Sequence, residues 1–302
     1  MVYKVSVPKI ASIIIVLMLT MLSANVLMAA NSSVVPVLRE ITAKCPSPCC
    51  LDIAFALDVS GSMGETVDTL TKLDYLKEAM YIFINRTCPD EGFAIGIVIF
   101  NTTAMNITTD AQGLGALWLV DSDVAKKDLN DSITPLVADG LTNMGGGISN
   151  ATAMILHGIY NKTGDKLLPN RAECRDIIIL VTDGLPTEPG PDPEGYAADK
   201  ADEARAHGIM IVGVYVGDPS GGGDEFLESI SDYFINVSIE DLPEEFDKLF
   251  DQICYITPPK PAVGGVLEES PVTDQLKAQL VPVILVAAIT ASLVIFLRRK
   301  EK

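Results

Sequence analysis

The chain has 302 residues, 48% of them hydrophobic, so it is long enough to bury one sizeable core. Its 40 acidic residues outnumber its 22 basic residues, which gives a net charge of −18 at pH 7. A surface this acidic repels phosphate backbones and anionic membrane faces, which excludes nucleic acid as a partner. Divalent cations and a high-salt habitat are both compatible with it.

Residues 1–30 have the layout of a secretory signal peptide. Lys4 and Lys9 form a basic start, residues 10–22 are almost wholly apolar, and Met-Ala-Ala at 28–30 offers small residues for cleavage. Because the apolar stretch is long, an uncleaved anchor helix is the alternative. Residues 31–50 are expected to form a cysteine-containing segment ahead of the first strand.

Strand-like and helix-like patterns alternate between residues 51 and 254. The strand-like runs are short, nearly continuous and rich in Ile and Val, as in strands covered on both faces: 51–58, 93–100, 176–182 and 209–215. The helical patterns cover 70–86, 124–137, 148–160, 195–207 and 242–253. Short extra strands are expected at 102–109 and 233–238, and a less regular insertion at 110–121. This alternation predicts a doubly wound α/β domain, with a mostly parallel sheet and helices on both faces.

The carboxyl-terminal part of the chain predicts a membrane anchor. Residues 255–279 are rich in Pro, Gly and acids without periodicity, which indicates a stalk. Residues 280–297 carry no charge and, at about 1.5 Å per residue, just span a hydrocarbon core of about 30 Å. A buried globular helix is the alternative. The basic tail at 298–302 is expected in the cytoplasm, which places the domain outside the plasma membrane as a single-pass protein.

An even number of cysteines in a chain predicted to be exported favours disulfides over reactive thiols; they are Cys45, Cys49, Cys50, Cys88, Cys174 and Cys254. Zinc is the alternative for the cluster at 45–50, although the chain has only 2 histidines. Five cysteines precede predicted parallel strands, and the last helix returns Cys254 to the same edge. Of the pairings open to them, the one that we favour joins Cys254 to the cluster at 45–50.

Asn-x-Ser/Thr sequons predict a glycosylated surface. We expect glycans at Asn31, Asn85, Asn106, Asn130, Asn161 and Asn236. Two further sequons, at Asn101 and Asn150, should be the least occupied, because glycans there would crowd the polar sheet edge.

Polar residues interrupt the predicted sheet along one edge, the carboxyl ends of its strands, where open α/β sheets bind ligands. The first strand ends in Asp-Val-Ser-Gly-Ser at 58–62, a later one in Thr-Asp-Gly at 182–184, and a Gly-rich segment at 139–147 lies between them. Carboxylates and hydroxyls suit a hard cation such as Mg²⁺, which takes about six oxygens. The candidate ligands are Asp58, Ser60, Ser62, Thr142 and Asp183.

Each motif has a simpler explanation when it is taken alone. Asp-x-Ser-x-Ser is common at helix starts, with Ser62 or Thr66 as the cap, and Thr-Asp-Gly is often only a turn. The three motifs on one edge are far more specific than any one of them. With five candidate ligands, at least one position of the cation is left for water or an outside ligand.

At these motifs the chain resembles the von Willebrand factor type A domain, the fold shared with integrin inserted domains, over residues 51–254. The resemblance rests on D-V-S-G-S-M at 58–63, G-L-T-N-M-G-G-G at 140–147, V-T-D-G at 181–184, G-V-Y-V-G-D at 213–218 and D-L-P-E-E-F at 241–246. All five metal-site positions of the family are present. The insertion at 110–121 and the Pro-rich loop at 185–193 are this chain's own and are expected to flank the site.

The resemblance implies roles for the candidate ligands. Ser60 and Ser62 would coordinate Mg²⁺, or Mn²⁺ or Ca²⁺, directly, while Thr142, Asp58 and Asp183 would alternate between direct and water-mediated contacts. An acidic side chain of a partner protein would fill the open position. In integrin inserted domains, affinity rises when the last helix slides away from the metal, so a disulfide at the end of that helix would hold the domain in one affinity state.

The sequence therefore predicts a cell-surface, Mg-dependent adhesion module that captures a partner carboxylate at a metal-ion-dependent adhesion site. The alternatives are a membrane-anchored assembly or scaffolding subunit of an envelope complex, and an ectodomain that stabilises a surface layer without metal. Neither catalysis nor a small-molecule substrate is expected. His157 and His207 lie outside the three loops, and the loops contain no Lys or Arg to bind a phosphate.

Overall fold

The computed structural model describes residues 50–89, 92–218 and 221–256. The predicted signal peptide, the segment at 31–49, most of the stalk, the predicted membrane helix and the tail all lie outside these residues. Among the described residues, no helix has both the length and the apolar composition that crossing a membrane requires.

Strands and helices alternate along the described chain, as the sequence predicts. The strands are β1 (Leu51–Asp58), β2 (Thr66–Val67), β3 (Leu70–Thr71), β4 (Ala94–Phe100), β5 (Ala104–Asn106), β6 (Leu117–Leu119), β7 (Ile159–Asn161), β8 (Lys166–Leu168), β9 (Arg175–Thr182), β10 (Met210–Tyr215) and β11 (Tyr233–Asn236). The helices are α1 (Lys72–Arg86), α2 (Asp123–Ile133), α3 (Met144–His157), α4 (Pro193–Ala206), α5 (Gly223–Ser229) and α6 (Leu242–Ile256).

One mostly parallel sheet forms the centre of the domain. Its strands lie in the order β11-β10-β9-β1-β4-β6-β7-β8, and β5 pairs with β4. β1 runs parallel to both of its neighbours, β4 and β9. Asp58 lies opposite Phe100 of β4, and Leu57 lies opposite Val181 of β9. The carboxyl ends of β1, β4 and β9 therefore meet at one edge. The predicted doubly wound α/β fold is confirmed.

The strand β1 is buried on both of its faces. Ile53, Phe55 and Leu57 belong to the apolar cluster that contains residues of α1, α2 and α6. Ala54 and Ala56 belong to the opposite cluster, with residues of α3, α4 and α5. Because side chains alternate between the faces of a strand, burial on both sides requires the continuous apolar run seen in the sequence.

Helix α6 is packed against α1 by aromatic rings. The Phe83 ring centroid lies 5.2 Å from those of Phe55 and Phe250, and 6.2 Å from that of Phe246. At the rim of this cluster, Arg86 of α1 forms ion pairs with two aspartates of α6, Asp247 and Asp251. The rings contribute most of the attachment, because these carboxylates are partly exposed and such pairs stabilise weakly.

Four of the five predicted helices begin at other residues than predicted: α2 begins one residue earlier, α4 begins two residues earlier, and α1 and α3 differ because of local structure. The predicted start at Leu70 is wrong because Leu70 and Thr71 form β3, which pairs with β2 as a hairpin, and Thr71 also caps α1. Neither Ser62 nor Thr66 is the cap. The helix predicted from residue 148 begins at Met144 and includes three glycines in its first turns. A Cβ at Gly145 would collide with the Tyr196 ring, so the glycines permit close packing against α4.

The irregular insertion at 110–121 was expected beside the polar edge, and this prediction is wrong. Trp118 of β6 pairs with Ile95 near the start of β4, the end opposite to that edge. Asp110 Oδ2 lies 2.8 Å from Nε2 of His157, the last residue of α3. Because α3 begins beside the polar edge and runs away from it, the insertion lies near the opposite edge.

A disulfide joins Cys50 to Cys174, immediately before β1 and β9. It therefore ties together the starts of two neighbouring strands, at the edge opposite to the polar loops. Cys88 is also disulfide-bonded. Cys50 is thus not the partner of Cys254, while Cys45 and Cys49 lie outside the described residues. The pairing of Cys254 with one of these two stays a prediction.

Replacing Phe83 by Ala should lower the free energy of unfolding by about 3–5 kcal/mol, because it removes the ring at the centre of the α1–α6 contact. Urea unfolding followed by circular dichroism measures the change. The control is Tyr255→Ala, since Tyr255 is an exposed aromatic residue of α6 and should change stability by less than about 0.5 kcal/mol. Equal effects of the two substitutions would contradict the assigned role of Phe83.

Candidate metal centre

Asp58 is fully buried at the end of β1, and its carboxylate organises the polar edge. The backbone N–H of Ser60 donates to Oδ1 over 2.7 Å, and the Thr182 hydroxyl donates to Oδ2 over 2.6 Å. The first contact fixes the turn after β1, and the second holds the end of β9 beside it. Asp58 therefore links the two strand ends that carry the predicted ligands.

Two serine hydroxyls and a second aspartate lie next to this link. Ser60 Oγ is 3.1 Å from Ser62 Oγ, and Ser62 Oγ donates to Asp183 Oδ1 over 2.7 Å. Adjacent oxygens of an octahedral Mg²⁺ site lie about 3.0 Å apart when the metal–oxygen distance is about 2.1 Å. The spacing of the serine hydroxyls matches that of neighbouring ligands, so these residues fit a small hard cation.

Thr142 is buried at the same edge, in the segment between α2 and α3. The N–H of Gly61 donates to the Gly140 carbonyl over 3.0 Å, which holds this segment against the serine turn. The Pro-rich loop fixes the backbone of Thr142 from the other side. Thr187 Oγ accepts from Thr142 N over 2.9 Å, and the N–H groups of Thr187 and Glu188 donate to the Thr142 carbonyl. The expectation that this loop flanks the site therefore agrees with the structure.

Lys72 is a member of the site that sequence reasoning missed. Its ammonium lies 2.8 Å from Asp183 Oδ2 and 2.7 Å from Glu65 Oε2. Burial works against its charged form, but the two carboxylates prevail and raise the pKa of Lys72 above its ordinary value. The spacing of Thr71 and Asp74, which form a capping box, is the sequence signal that could have placed Lys72 at the first position of the helix.

The donor set indicates which cations the site could hold. Among the described residues there is no group of three or more His, Cys, Asp or Glu side chains that could hold a metal ion. The candidate centre therefore depends on hydroxyls together with its carboxylates. Hydroxyl and carboxylate oxygens favour Mg²⁺, Mn²⁺ or Ca²⁺ over softer metals, although they do not discriminate among these three.

The predicted glycosylation sites lie in different environments. Asn85 and Asn236 are exposed, whereas Asn106, Asn130 and Asn161 are partly buried. Asn130 Nδ2 also donates to Asn85 Oδ1 over 3.0 Å, so the two side chains are in contact. Asn101 accepts the Asn143 N–H at its carbonyl, beside the candidate metal centre. Asn31 lies outside the described residues, and occupancy at every position stays a prediction.

The fold and the oxygen donors at its carboxyl edge define an α/β domain with a candidate centre for a hard cation. Residues 53–185 match the family model of the von Willebrand factor type A domain. Together with the fold, this match supports a von Willebrand factor type A domain in the described region. No curated protein sequence matches the chain.

Solved structures of several proteins share this fold. Proximal thread matrix protein 1 from the mussel byssus is 19% identical with a TM-score of 0.51, and the match covers 68% of this chain and 48% of that one. A second structure of that protein has zinc in its MIDAS motif, at 18% identity, the same TM-score and the same coverage of both chains. The pilus adhesin SpaC from Lactobacillus rhamnosus GG is 14% identical with a TM-score of 0.53, covering 69% of this chain and 31% of SpaC. The present chain thus matches less than half of each of these proteins.

Asp58 should make the stability of the cation-free domain depend on pH. Burial raises its pKa from 3.8 to about 6, against the lowering effect of its hydrogen bonds to Ser60 and Thr182. The folded state therefore holds the proton more tightly than the unfolded state. The resulting stabilisation is fully present below about pH 4 and is lost as the pH rises through about 6.

We expect this loss to approach roughly 3 kcal/mol between about pH 4 and pH 7, since each pKa unit corresponds to about 1.36 kcal/mol. Urea unfolding in chelator at several pH values measures it. The reference is Asp58→Asn, which has no titrating group at this position. If the wild type and this variant changed in parallel over the range, burial of an ionisable Asp58 would not be the cause.

Proposed function

We propose that this protein is a cation-dependent protein-binding module that captures an acidic side chain of its partner. The observation that carries the proposal is the convergence of Ser60, Ser62 and Asp183, whose oxygens are hydrogen-bonded to one another at the carboxyl edge of the sheet. Their spacing suits a hard cation, and the edge is where open α/β sheets bind ligands.

Two kinds of ligand would hold the cation. Ser60, Ser62 and Thr142 would offer neutral hydroxyls, while Asp58 and Asp183 would balance the positive charge. When bound, the cation supplies an electrophilic position that an oxygen ligand from outside can occupy. Neutral hydroxyl ligands leave the cation with more of its charge than carboxylates would, which favours an anionic partner group.

Binding without catalysis is the proposed activity. A serine nucleophile needs a neighbouring base, and the group that accepts from the Ser62 hydroxyl is the Asp183 carboxylate. That carboxylate is paired with the Lys72 ammonium, which stabilises its charge and weakens it as a proton acceptor. Lys72 is itself held by two carboxylates that raise its pKa, so it is a poor proton acceptor too. His157 contacts Asp110 at the far end of α3. These contacts support a site that binds rather than reacts.

Adhesion at a cell surface is the biological role that we propose. Proteins with the same fold include a pilus adhesin and a byssal matrix protein, and this supports a role in attachment. The apolar segment at 280–297 and the basic tail would anchor the domain outside the plasma membrane. An assembly or scaffolding subunit of an envelope complex, bound to its partner through the same site, is the second candidate.

Replacing Ser62 by Ala should weaken the binding of Mg²⁺ or Mn²⁺ by at least about tenfold, because it removes a ligand and the hydrogen bond that orients Asp183. Isothermal titration of the protein with each cation measures the affinity. Ser132→Ala is the matched control, since the Ser132 hydroxyl donates to a carbonyl within α2. The proposed ligand set would be wrong if both variants bound the cation as the wild type does.

The same pair of variants tests the role of the cation in partner binding. A partner captured in Mg²⁺ should be lost in chelator and by Ser62→Ala, but retained by Ser132→Ala. Asp183→Ala should also abolish capture while leaving the fold intact. Capture at full strength in chelator would support the third expectation from the sequence, a surface domain that needs no metal.

The proposed topology is tested on intact cells. Added protease should remove the domain and leave a membrane-held fragment containing residues 280–302, because the basic tail is expected in the cytoplasm. Immunoblotting with an antibody against an epitope placed at the carboxyl terminus detects this fragment. Complete protection of the chain from protease, with cleavage in permeabilised cells, would place the domain on the other side.

A further inference from the structure

An ammonium group lies inside the candidate metal centre, on the carboxylate that would help to hold the cation. Lys72 Nζ is 2.8 Å from Asp183 Oδ2, while the other oxygen of Asp183 accepts from Ser62. The side chain of Asp183 is 1% exposed and that of Lys72 is 14% exposed. Solvent therefore screens this pair much less than an ordinary surface ion pair.

The fold holds Lys72 in this position. The hairpin of β2 and β3 returns the chain to the site, so the Lys72 N–H donates to the Glu65 carbonyl over 3.0 Å. Thr71 then starts α1 with a capping box to Asp74. Lys72 is the first residue of the helix, where the dipole disfavours a cation, so its two carboxylate contacts offset an unfavourable location.

With a cation in the site, two positive charges would share the buried Asp183 carboxylate. Without a counter-charge, a buried aspartate is costly, and Lys72 supplies that charge when no cation is bound. A divalent cation that binds beside Ser60 and Ser62 draws on the same carboxylate. The ammonium would repel it, because like charges a few ångströms apart in a poorly screened site interact strongly.

We propose that Lys72 sets the cation affinity of this site, because its ammonium competes with the divalent cation for the Asp183 carboxylate. This inference rests on the proposed function, since it takes the site to bind a divalent cation. It gives the domain two properties. The cation binds more weakly than the oxygen ligands alone would allow, and the site keeps its charge balance when the cation leaves.

The test compares the full chain with its Lys72→Met variant in titrations with MgCl₂ and MnCl₂. We expect Lys72→Met to bind each cation at least about tenfold more tightly, because the competing charge is gone. Lys72→Arg keeps the charge and should bind as weakly as the wild type. Lys127→Met removes one charge whose partner is Asp131 of the same helix, so it should also behave as the wild type.

Thermal unfolding supplies a second readout. In chelator, Lys72→Met should melt at a lower temperature than the wild type, since Asp183 loses its counter-charge. On addition of MgCl₂ its melting temperature should rise by more than that of the wild type. If Lys72→Met does not fold, Lys72→Gln keeps a hydrogen-bond donor for Asp183 without the charge and should show the same tighter binding.

The outcomes separate the two proposals. A wild type that binds the cation, together with neutral variants of Lys72 that bind it no more tightly, would overturn the competition while leaving the proposed function in place. A lower melting temperature in chelator without any change in cation affinity would reduce Lys72 to a structural ion pair. Failure of the wild type and of every variant to bind either cation would overturn the proposed function, and the competition with it.

Discussion

A carboxylate buried at the end of a central strand must be satisfied by hydrogen bonds or by a cation, and the polar edge of this domain is arranged around that need. One oxygen of Asp58 accepts from the backbone of Ser60, and this contact shapes the turn that presents the serine hydroxyls. The other accepts from Thr182, which keeps the end of β9, and Asp183 after it, beside β1. Asp58 therefore hydrogen-bonds both segments that carry the candidate ligands.

The parallel sheet brings candidate ligands that are distant in the sequence to one edge. Ser62 and Asp183 are 121 residues apart in the chain, yet they form a hydrogen bond because β1 and β9 are neighbours that run in the same direction. The segment that contains Thr142 is brought to the polar edge by helix packing rather than by strand pairing. The glycines at the start of α3 let that helix pack closely against α4 and β4, which brings the loop before it over the strand ends.

Much of this arrangement can be predicted from residue patterns. The run 51–58 matches the bounds of β1, because a strand buried on both faces must be apolar throughout. The location of the polar loops on one edge can also be predicted, because the carboxyl ends of parallel strands meet at the same edge of the sheet. Lys72 could not be placed in this way: helical periodicity predicts a helix from residue 70, whereas a hairpin of two-residue strands takes up the first of those positions.

Other errors have a similar origin in contacts that a local pattern does not encode. The glycines of α3 have low helix propensity, so periodicity does not show the helix start at Met144. Asn143 caps that start by accepting from the Gly146 N–H, and the absence of a Cβ at Gly145 leaves room for the Tyr196 ring. The insertion at 110–121 has no periodicity that could show Trp118 pairing with β4. Its location away from the candidate metal centre depends on that pairing and on the contact between Asp110 and His157.

If the chain is tethered beyond residue 256, the packing of α6 on α1 would transmit tension into the domain. Tension from that side enters the described region through α6, and the contacts that resist it include the cluster of Phe83, Phe246 and Phe250. Phe83 also touches Phe55 of β1, so the load passes directly into the strand that ends in Asp58. A pull on the tether and a ligand at the polar edge would therefore act on the same strand, at Phe55 and at Asp58.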